Sequence, residues 1–225
     1  MKVDELEARL KTLEKQVRIL QDIEEIKKLQ RAYGYYIEHW MAPELLDCFS
    51  DGPDVVLDLH SGIFLGKEGV KRYYLGMAEL ISPEFLHQVM QLSGIVDVDP
   101  AGKTAKGRWN GFGALAVPTG GGVRQSFISG VYECEYVKED GRWRIKKLKF
   151  SRNYLAPPGE GWVKRERVAA INPRNVRQQS EPDIPLSFDP DYPSGYILPC
   201  HYKHPVTGRE TTEGVRNASL KRGKG

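Results

Sequence analysis

The first thirty residues carry a helical pattern of apolar positions, and neither glycine nor proline interrupts them. Five apolar residues alternate there between spacings of four and three, as the a and d positions of a heptad repeat do: Leu6, Leu10, Leu13, Val17 and Leu20. This spacing gathers them on one face and is typical of helices that pack against each other. We therefore predict a helix over residues 1–21 that self-associates. A simple amphipathic helix lying on its own domain is the alternative.

The apolar positions change phase after Leu20. Further apolar residues follow at spacings of three and four: Ile23, Ile26, Leu29, Tyr33 and Tyr36. This shift of the apolar face indicates that the chain enters a globular core. The acidic residues Asp22, Glu24 and Glu25 cluster at the shift. Because acidic side chains stabilise the N-terminal end of the helix dipole, they predict the start of a new helix at Asp22.

Helix-breaking residues and a change of period define the remaining elements. Two short helices are predicted, over residues 43–49 and from residue 66 to about 80. Six strands are predicted where apolar and polar residues alternate: 55–59, 63–65, 87–98, 104–116, 123–136 and 143–154. The alternation slips between Ile145 and Leu148, which predicts a bulge in the last strand. The order of elements predicts an α+β fold in which a curved antiparallel sheet wraps around helices.

The end of the chain differs in composition from its centre. Beyond residue 156 it is rich in proline, aspartate and arginine, with little periodicity. We predict one domain over residues 22–156 and an extended arm over residues 157–225. An apolar patch at 195–202 is expected to cover a pocket mouth or a neighbouring subunit, and a disordered tail with one sticky patch is the alternative. Residues 201–225 carry six Lys or Arg against two acids, and we expect this basic end to be solvated.

Composition and charge exclude several classes of partner. The 225 residues are 40% apolar and 28% charged, with a net charge of +3. Since the positive excess lies in the tail and not on the body, no nucleic-acid partner is expected. The sequence carries neither a signal peptide nor about eighteen consecutive apolar residues, so we expect a cytoplasmic protein without a membrane partner. Three widely separated cysteines predict neither disulfides nor a zinc site and favour a reducing compartment.

Several common chemistries lack their sequence motifs. Neither a Gly-x-Ser-x-Gly motif nor a dinucleotide fingerprint occurs. The glycine-rich turn at 120–122 precedes neither a helix nor a Lys-Ser/Thr pair, so it is not a phosphate loop. No two histidines lie four residues apart beside a glutamate, and no metal is expected. No cofactor is expected either, which leaves proton transfer as the favoured chemistry.

The second half of the long helix carries candidates for acid–base chemistry. Tyr33 and Tyr36 share the apolar face, whereas Glu38 lies about 140° round from Tyr33 on an ideal helix. Glu38 still reaches the same cavity if the helix ends against the mouth of a pocket. A carboxyl group beside a phenol and apolar surface has a raised proton affinity, which suits general acid–base catalysis. Core tyrosines and a surface glutamate are the alternative.

The strands contribute further polar candidates. His87 opens the first long strand and faces the same side as Val89. Its imidazole suits both taking and giving a proton near neutral pH, and a hydrogen-bonded core histidine is the alternative. Asn110 shares a face with Arg108, opposite Trp109, and its amide either orients a substrate hydroxyl or pairs with backbone. His60 and Asp58 face either solvent or a polar cavity, and the bulge in the last strand leaves the face of Arg152 unassigned.

Four features follow one another in a characteristic order and spacing. They are the segment 22–50 with Tyr33, an acid five residues later and Leu46-Asp47-Cys48-Phe49-Ser50; the helix start Gly66-Lys67-Glu68-Gly69-Val70; His87; and Asp140-Gly141-Arg142-Trp143-Arg144-Ile145. Over about residues 20–155 this pattern resembles the SnoaL-like branch of the nuclear-transport-factor-2-like superfamily. The resemblance implies an α+β cone around a deep pocket. Enzymes of the superfamily include scytalone dehydratase, bile-acid dehydratase, steroid isomerases, polyketide cyclases and lyases that release formaldehyde from diarylpropanes, most of which use no cofactor.

The resemblance also implies roles for individual residues. Tyr33 and Glu38 match the Tyr and Asp of the dehydratase helix, although Glu is one methylene longer than Asp. His87 matches the strand His that acts as base or acid. Asn110 falls where the bile-acid dehydratase has an Asp. This difference argues against a mechanism that uses a second carboxylate. Arg152 is the counterpart of a terminal-strand Arg.

We therefore predict a lyase that acts by general acid–base elimination, either dehydration or retro-aldol release of an aldehyde. Its predicted catalytic residues are Tyr33, Glu38 and His87. Its predicted substrate-binding residues are Tyr36, His60, Trp109, Asn110 and Arg152. The aromatic residues favour a small hydroxylated aromatic or polycyclic substrate, and a homo-oligomer, dimer or trimer, is expected. An isomerase or cyclase on the same scaffold and a binding or assembly module are the alternatives.

Overall fold

The computed structural model describes residues 3–79, 81–119, 121–159 and 203–212. Three helices and six strands occur in these residues: α1 (Val3–Glu38), α2 (Ala42–Cys48), β1 (Val56–Leu59), β2 (Gly62–Leu65), α3 (Gly66–Ala78), β3 (Leu86–Val98), β4 (Thr104–Thr119), β5 (Gly122–Glu139) and β6 (Arg142–Ala156). The two short helices and all six strands end within three residues of their predicted ends. No helix in the described ranges is long and apolar enough to span a membrane.

The first helix is continuous from Val3 to Glu38, so the predicted new start at Asp22 is wrong. Asp22 is buried, accepts a hydrogen bond from the indole Nε1–H of Trp143 at 2.9 Å, and forms an ion pair with Lys138. The heptad residues before Asp22 are exposed, whereas the apolar stripe after it enters the core. The acid at this position therefore anchors α1 to β5 and β6 and does not start a helix.

The strands form one mixed sheet in the order β2-β1-β6-β5-β4-β3. The four long strands pair antiparallel as predicted, and β1 runs parallel to β6, which the sequence did not indicate. The predicted bulge in β6 is confirmed, because Lys146 falls between the partners of Glu135 and Tyr136. A second bulge in β3 sets Ser93 and Gly94 against one residue of β4. Bulges of this kind increase the bend and twist of a strand.

The concave face of the sheet carries the core. Inward-facing residues of β5 such as Tyr132 and Tyr136 are buried against the helices. Glycine leaves room for their rings: a Cβ added to Gly111 would lie 2.9 Å from the ring of Tyr132, and one added to Gly107 would lie 2.9 Å from the ring of Tyr136. Small residues thus alternate with large aromatic rings on the concave face. The α+β cone predicted from the sequence is confirmed.

Residues 203–212, which we call the C-terminal strap, return to the cone and pack against α2. His204 and Val206 are buried, and Val206 belongs to the hydrophobic core. The basic residues Lys203 and Arg209 are exposed, as expected, whereas His204 and Val206 fill space beside α2. The apolar patch predicted at 195–202 lies outside the described residues.

Candidate functional site

Aromatic rings pack against one another between α1, α3 and the start of β3. They contact one another edge-on or tilted, with centroids 5.1–6.5 Å apart. We call this group the aromatic cluster: Tyr33, Trp40, Phe49, Tyr73, Tyr74, Phe85 and His87. Helical spacing explains its local origin, because Tyr74 lies one turn after buried Val70 on the inward face of α3. Tyr33 lies on the inward face of α1 in the same way.

Two buried phenols meet inside the aromatic cluster. The hydroxyl oxygens of Tyr33 and Tyr74 lie 2.9 Å apart, and either can donate to the other. Burial raises the pKa of both phenols well above the ordinary value, so both stay protonated near neutral pH. One phenol hydrogen makes the shared bond, and the other has no acceptor among the described residues. The pair can therefore donate a hydrogen bond or a proton to a bound oxygen.

His87 lies on the same aromatic cluster, with its ring edge-to-face against Trp40 at 5.1 Å. Burial lowers the pKa of His87 to about 4, and the imidazole is therefore neutral near neutral pH. Within the described part of the chain, its buried Nδ1 has no hydrogen-bond partner. Buried polar atoms are nearly always paired, so an unpaired one in a cone marks a candidate contact for a ligand. His87 is thus connected to Tyr33 through the rings of Trp40 and Tyr74.

Glu38 does not join Tyr33 and His87. It lies beside a groove of about 320 Å³ between α1 and β3, together with Arg31, Tyr35 and Met90. Burial raises the pKa of Glu38, as expected from sequence, but within this different environment. The prediction that its carboxyl group reaches the phenol is therefore corrected. Glu38 remains about 140° round the helix from Tyr33, because α1 is helical through Glu38.

Tyr36 stacks on His204 of the C-terminal strap, with centroids 5.3 Å apart and planes 11° apart. His204 Nδ1 accepts hydrogen bonds from the backbone N–H groups of Val206 and Thr207 at 3.1 and 3.2 Å. Its Nε2–H donates to the carbonyl oxygen of Glu44 at 2.7 Å. This bonding requires the neutral imidazole with its proton on Nε2. The role of Tyr36 in substrate binding stays a prediction, and its contact with the strap was not foreseen.

Trp109 belongs to a buried polar chain that crosses the cone. Its Nε1–H donates to the hydroxyl of Tyr136 at 3.1 Å, and that hydroxyl donates to Gln30 Oε1 at 2.6 Å. Gln30 Nε2 in turn donates to Gln91 Oε1 at 2.5 Å. The indole also packs on the β3 bulge, where a Cβ on Gly94 would lie 2.0 Å from its ring. These contacts give Trp109 a structural role, and its part in substrate binding stays a prediction.

Asn110 lies on the outer face of β4. The alternating burial of β4 leaves Arg108 and Asn110 exposed and buries Trp109 between them. The shared face of Arg108 and Asn110 is as predicted, but it is the face turned away from the cone. The prediction that Asn110 orients a substrate in the pocket is therefore corrected, because strand parity directs its amide to the convex side.

His60 and Arg152 meet at the rim of the cone. An Nη2–H of Arg152 donates to His60 Nε2 at 2.8 Å, which joins β6 to the turn between β1 and β2. Arg152 lies on the same face of β6 as Phe150, the concave face. The pair is exposed and adds a cation on the concave side of β6. Their part in substrate binding stays a prediction.

Some site residues were missed in the sequence. Tyr74 carries a recognisable signal, because it follows buried Val70 by four residues on α3. His204 carries a weaker one: Pro205 and Gly208 around it are typical of a turn. The polar chain through Gln30 carries none, since its partners lie on distant strands.

Lowering the pH from about 6.5 towards about 4 is expected to destabilise the fold. Burial lowers the pKa of His87 to about 4 and lowers that of His204. The unfolded chain therefore binds protons that the folded chain excludes, and the stability is full above about pH 6.5 and falls with pH. Urea unfolding at about pH 7.5 and 5.5 measures the change. The double variant His87→Asn/His204→Asn should depend less on pH, and a wild type with equal stability at both values contradicts the prediction.

Comparison with known proteins identifies the family. The model of the SnoaL-like domain matches residues 18–149. A comparison with curated proteins finds no match. Several solved structures are similar in fold. Because their sequence identities to this chain are below 20%, the similarity shows the fold alone.

One similar structure is a Novosphingobium aromaticivorans protein provisionally assigned as a scytalone dehydratase. It is 17% identical, the match covers 70% of this chain and 96% of that chain, and the TM-score is 0.53. Another is the hexachlorocyclohexane dehydrochlorinase LinA-type3 of Novosphingobium barchaimii. It is 19% identical, the match covers 67% of this chain and 99% of that chain, and the TM-score is 0.50. A third is a nuclear transport factor 2-like protein of Salmonella enterica. It is 18% identical, the match covers 63% of this chain and 98% of that chain, and the TM-score is 0.50. The chain belongs to the SnoaL-like domain family and has the fold of the nuclear-transport-factor-2-like superfamily.

Proposed function

We propose that the chain is a cofactor-independent lyase that removes water or an aldehyde from a small hydroxylated aromatic or polycyclic molecule. The observation that carries this proposal is that the aromatic cluster contains two kinds of group, which are connected through the ring of Trp40. One is the neutral imidazole of His87, with a buried nitrogen that lacks a partner among the described residues. The other is the pair of protonated phenols of Tyr33 and Tyr74.

A dehydration would use these groups as base and acid. His87 takes the proton from the carbon next to the carbon that bears the hydroxyl. The electron pair left behind forms the C=C bond, the C–O bond breaks, and the departing oxygen takes a proton from the Tyr33–Tyr74 pair. The phenol regains its proton from the imidazolium, and the residues end as they began. Because the pKa of His87 is lowered to about 4, its imidazolium gives up the proton readily.

A retro-aldol cleavage would use the same residues in another order. His87 takes the proton of the substrate hydroxyl, the adjacent C–C bond breaks, and the C=O bond of the aldehyde forms. The carbon that keeps the electron pair takes a proton from the Tyr33–Tyr74 pair, and the imidazolium restores the phenol. Both schemes need a base and a protonated donor facing one bound molecule.

The substrate class follows from the walls of the site. Aromatic rings offer flat apolar surface, and the guanidinium of Arg152 at the rim offers a donor for a polar substituent. Two structural neighbours carry names of elimination enzymes, a dehydratase and a dehydrochlorinase, which supports the reaction type. Glu38 and Asn110 take no part in the proposed chemistry, because they lie outside the aromatic cluster.

The test is a mass-resolved screen of the purified protein against hydroxylated aromatics and steroids. Loss of water or loss of formaldehyde supports the proposal and distinguishes its two schemes. A product of unchanged mass identifies an isomerase or cyclase, and no turnover of any compound favours a binding module. Either of the last two results overturns the lyase.

Tyr33→Phe is expected to lower turnover at least about tenfold, since it removes one hydroxyl of the donor pair. The matched control is Tyr35→Phe, which removes a phenol two residues away that is 59% exposed and lies outside the cone. Glu38→Gln is a second control. Steady-state kinetics on a substrate found in the screen measures all three variants. If Tyr33→Phe and Tyr35→Phe are equally active, Tyr33 does not act as proposed.

A further inference from the structure

The first five turns of α1 extend away from the cone with an exposed apolar stripe. Its six side chains are between 46% and 69% exposed: Val3, Leu6, Leu10, Leu13, Val17 and Leu20. Val3 lies three residues before Leu6 and extends the heptad pattern to three full repeats. Position a is then Val, Leu, Val, and position d is Leu throughout. Apolar surface of this kind on an isolated helix is stable only when something covers it.

We propose that residues 3–21 form a parallel, in-register, two-stranded coiled coil with the same segment of a second copy of this chain. The proposal concerns a surface outside the cone and does not depend on the proposed lyase activity. It specifies both the number of strands and their direction. Three features of the segment support it.

The number of strands follows from the core positions. A β-branched residue at position a with Leu at position d favours two parallel strands, whereas other arrangements of Ile and Leu favour three or four. Val3 and Val17 are β-branched at position a, and all three d positions are Leu. The helix therefore carries the core of a dimer.

The direction follows from the flanking charges. Arg9 occupies position g, and Glu14 occupies the following position e, five residues later. Gln16 and Gln21 occupy the next such pair of positions and carry no charge. In a parallel coiled coil a g residue lies beside the next e residue of the partner, so Arg9 pairs with Glu14 of the partner subunit, and the reverse pair forms too. In an antiparallel coil position e faces position e, which would bring Glu7 and Glu14 of two chains together.

The end of the stripe coincides with the start of the domain. The next a and d positions are Glu24 and Lys27, which form an ion pair with each other on the helix surface. Asp22 at this point binds Trp143 and Lys138 of its own chain. The apolar seam therefore stops where α1 begins to pack on its own sheet, and the two cones emerge side by side from one end of the coil.

Sedimentation velocity on the full chain over about 1–100 µM tests the number of strands. A dimer is expected, and the double variant Leu10→Lys/Leu13→Lys should raise its dissociation constant at least about hundredfold, because charges replace buried leucines. Lys11→Glu, on the outer face of the same turn, is the matched control and should leave the dimer unchanged. Near-ultraviolet circular dichroism checks that the cone stays folded, since these residues lie outside its core.

Charge exchange tests the direction of the strands. Arg9→Glu alone and Glu14→Arg alone should each weaken the dimer, and a mixture of the two variants should form a heterodimer of wild-type strength. The matched control mixture carries reversals on the outer face, Lys11→Glu with Glu5→Arg, and should show no preference for the heterodimer.

Four results overturn the proposal. A monomeric wild type means that the chain covers its own stripe. A trimer contradicts the two-stranded core. If Glu14→Arg alone tightens the dimer and mixing it with Arg9→Glu gives no further gain, the strands are antiparallel. A dimer that survives the Leu10→Lys/Leu13→Lys change likewise places the interface elsewhere.

Discussion

Replacing His87 with alanine is expected to lower kcat for the proposed elimination about 10²–10⁴-fold, the range that a positioned acid or base supplies. The imidazole is neutral at neutral pH because burial lowers its pKa to about 4, and it can therefore accept a proton. Tyr33 and Tyr74 cannot replace it as base, since burial raises the pKa of both phenols and keeps them protonated. Steady-state kinetics on a substrate found in the screen measures the loss.

Two further measurements separate proton transfer from packing at His87. Asparagine at this position keeps a polar side chain but accepts no proton near neutral pH, so His87→Asn should lose activity to a similar extent as His87→Ala. The pH profile of kcat/KM in the wild type should stay level around pH 6.5 and fall only as the pH approaches about 4, where the imidazole becomes charged. An acid limb near the ordinary histidine pKa, or an active His87→Asn variant, contradicts the role.

Replacing Asp22 with alanine is expected to lower the free energy of unfolding by about 3 kcal/mol. The change leaves Lys138 without its charge partner and leaves the buried indole Nε1–H of Trp143 without its acceptor. It also frees α1 from β5 and β6 at the point where the helix enters the cone. For a chain of this size the melting temperature should fall by about 6–12 °C. Thermal and urea unfolding measure both quantities.

The matched control for Asp22 is Glu25→Ala, an exposed acid on the same turn, with an expected change within about 0.5 kcal/mol. Asp22→Asn keeps an oxygen that accepts from the indole of Trp143 but loses the charge, so its stability should lie between those of the wild type and Asp22→Ala. If Asp22→Ala is no less stable than the Glu25→Ala control, the contacts of Asp22 do not anchor the helix.

The elements of the fold could be predicted because their periods are local properties of the chain. Alternation located all six strands, and a slip in that alternation located the bulge at Lys146. The same reasoning failed at Asp22, where an acid that fits a helix start is instead required by Trp143 and Lys138 from distant strands. A residue that serves a tertiary contact and one that serves a local cap look alike in sequence.

The candidate site was predicted in part. Tyr33 and His87 point inward, as the helical and strand periods indicated, and both reach the aromatic cluster. Glu38 and Asn110 do not, because the rotation of the helix and the parity of the strand turn them away from the cone. Both were predicted from the helix and strand patterns, and the family resemblance was added at positions where this chain departs from the family pattern.

By itself, the sequence determined the six strands, the two short helices and the α+β class, because these follow from periods that neighbouring residues share. Only the tertiary structure decided which polar groups meet. The partners of Tyr33, Trp109 and His204 lie 27 to 160 residues away in the chain. Their approach depends on sheet curvature, on the bulges and on the return of the C-terminal strap. No local pattern encodes these quantities, since each arises from packing many distant side chains at once.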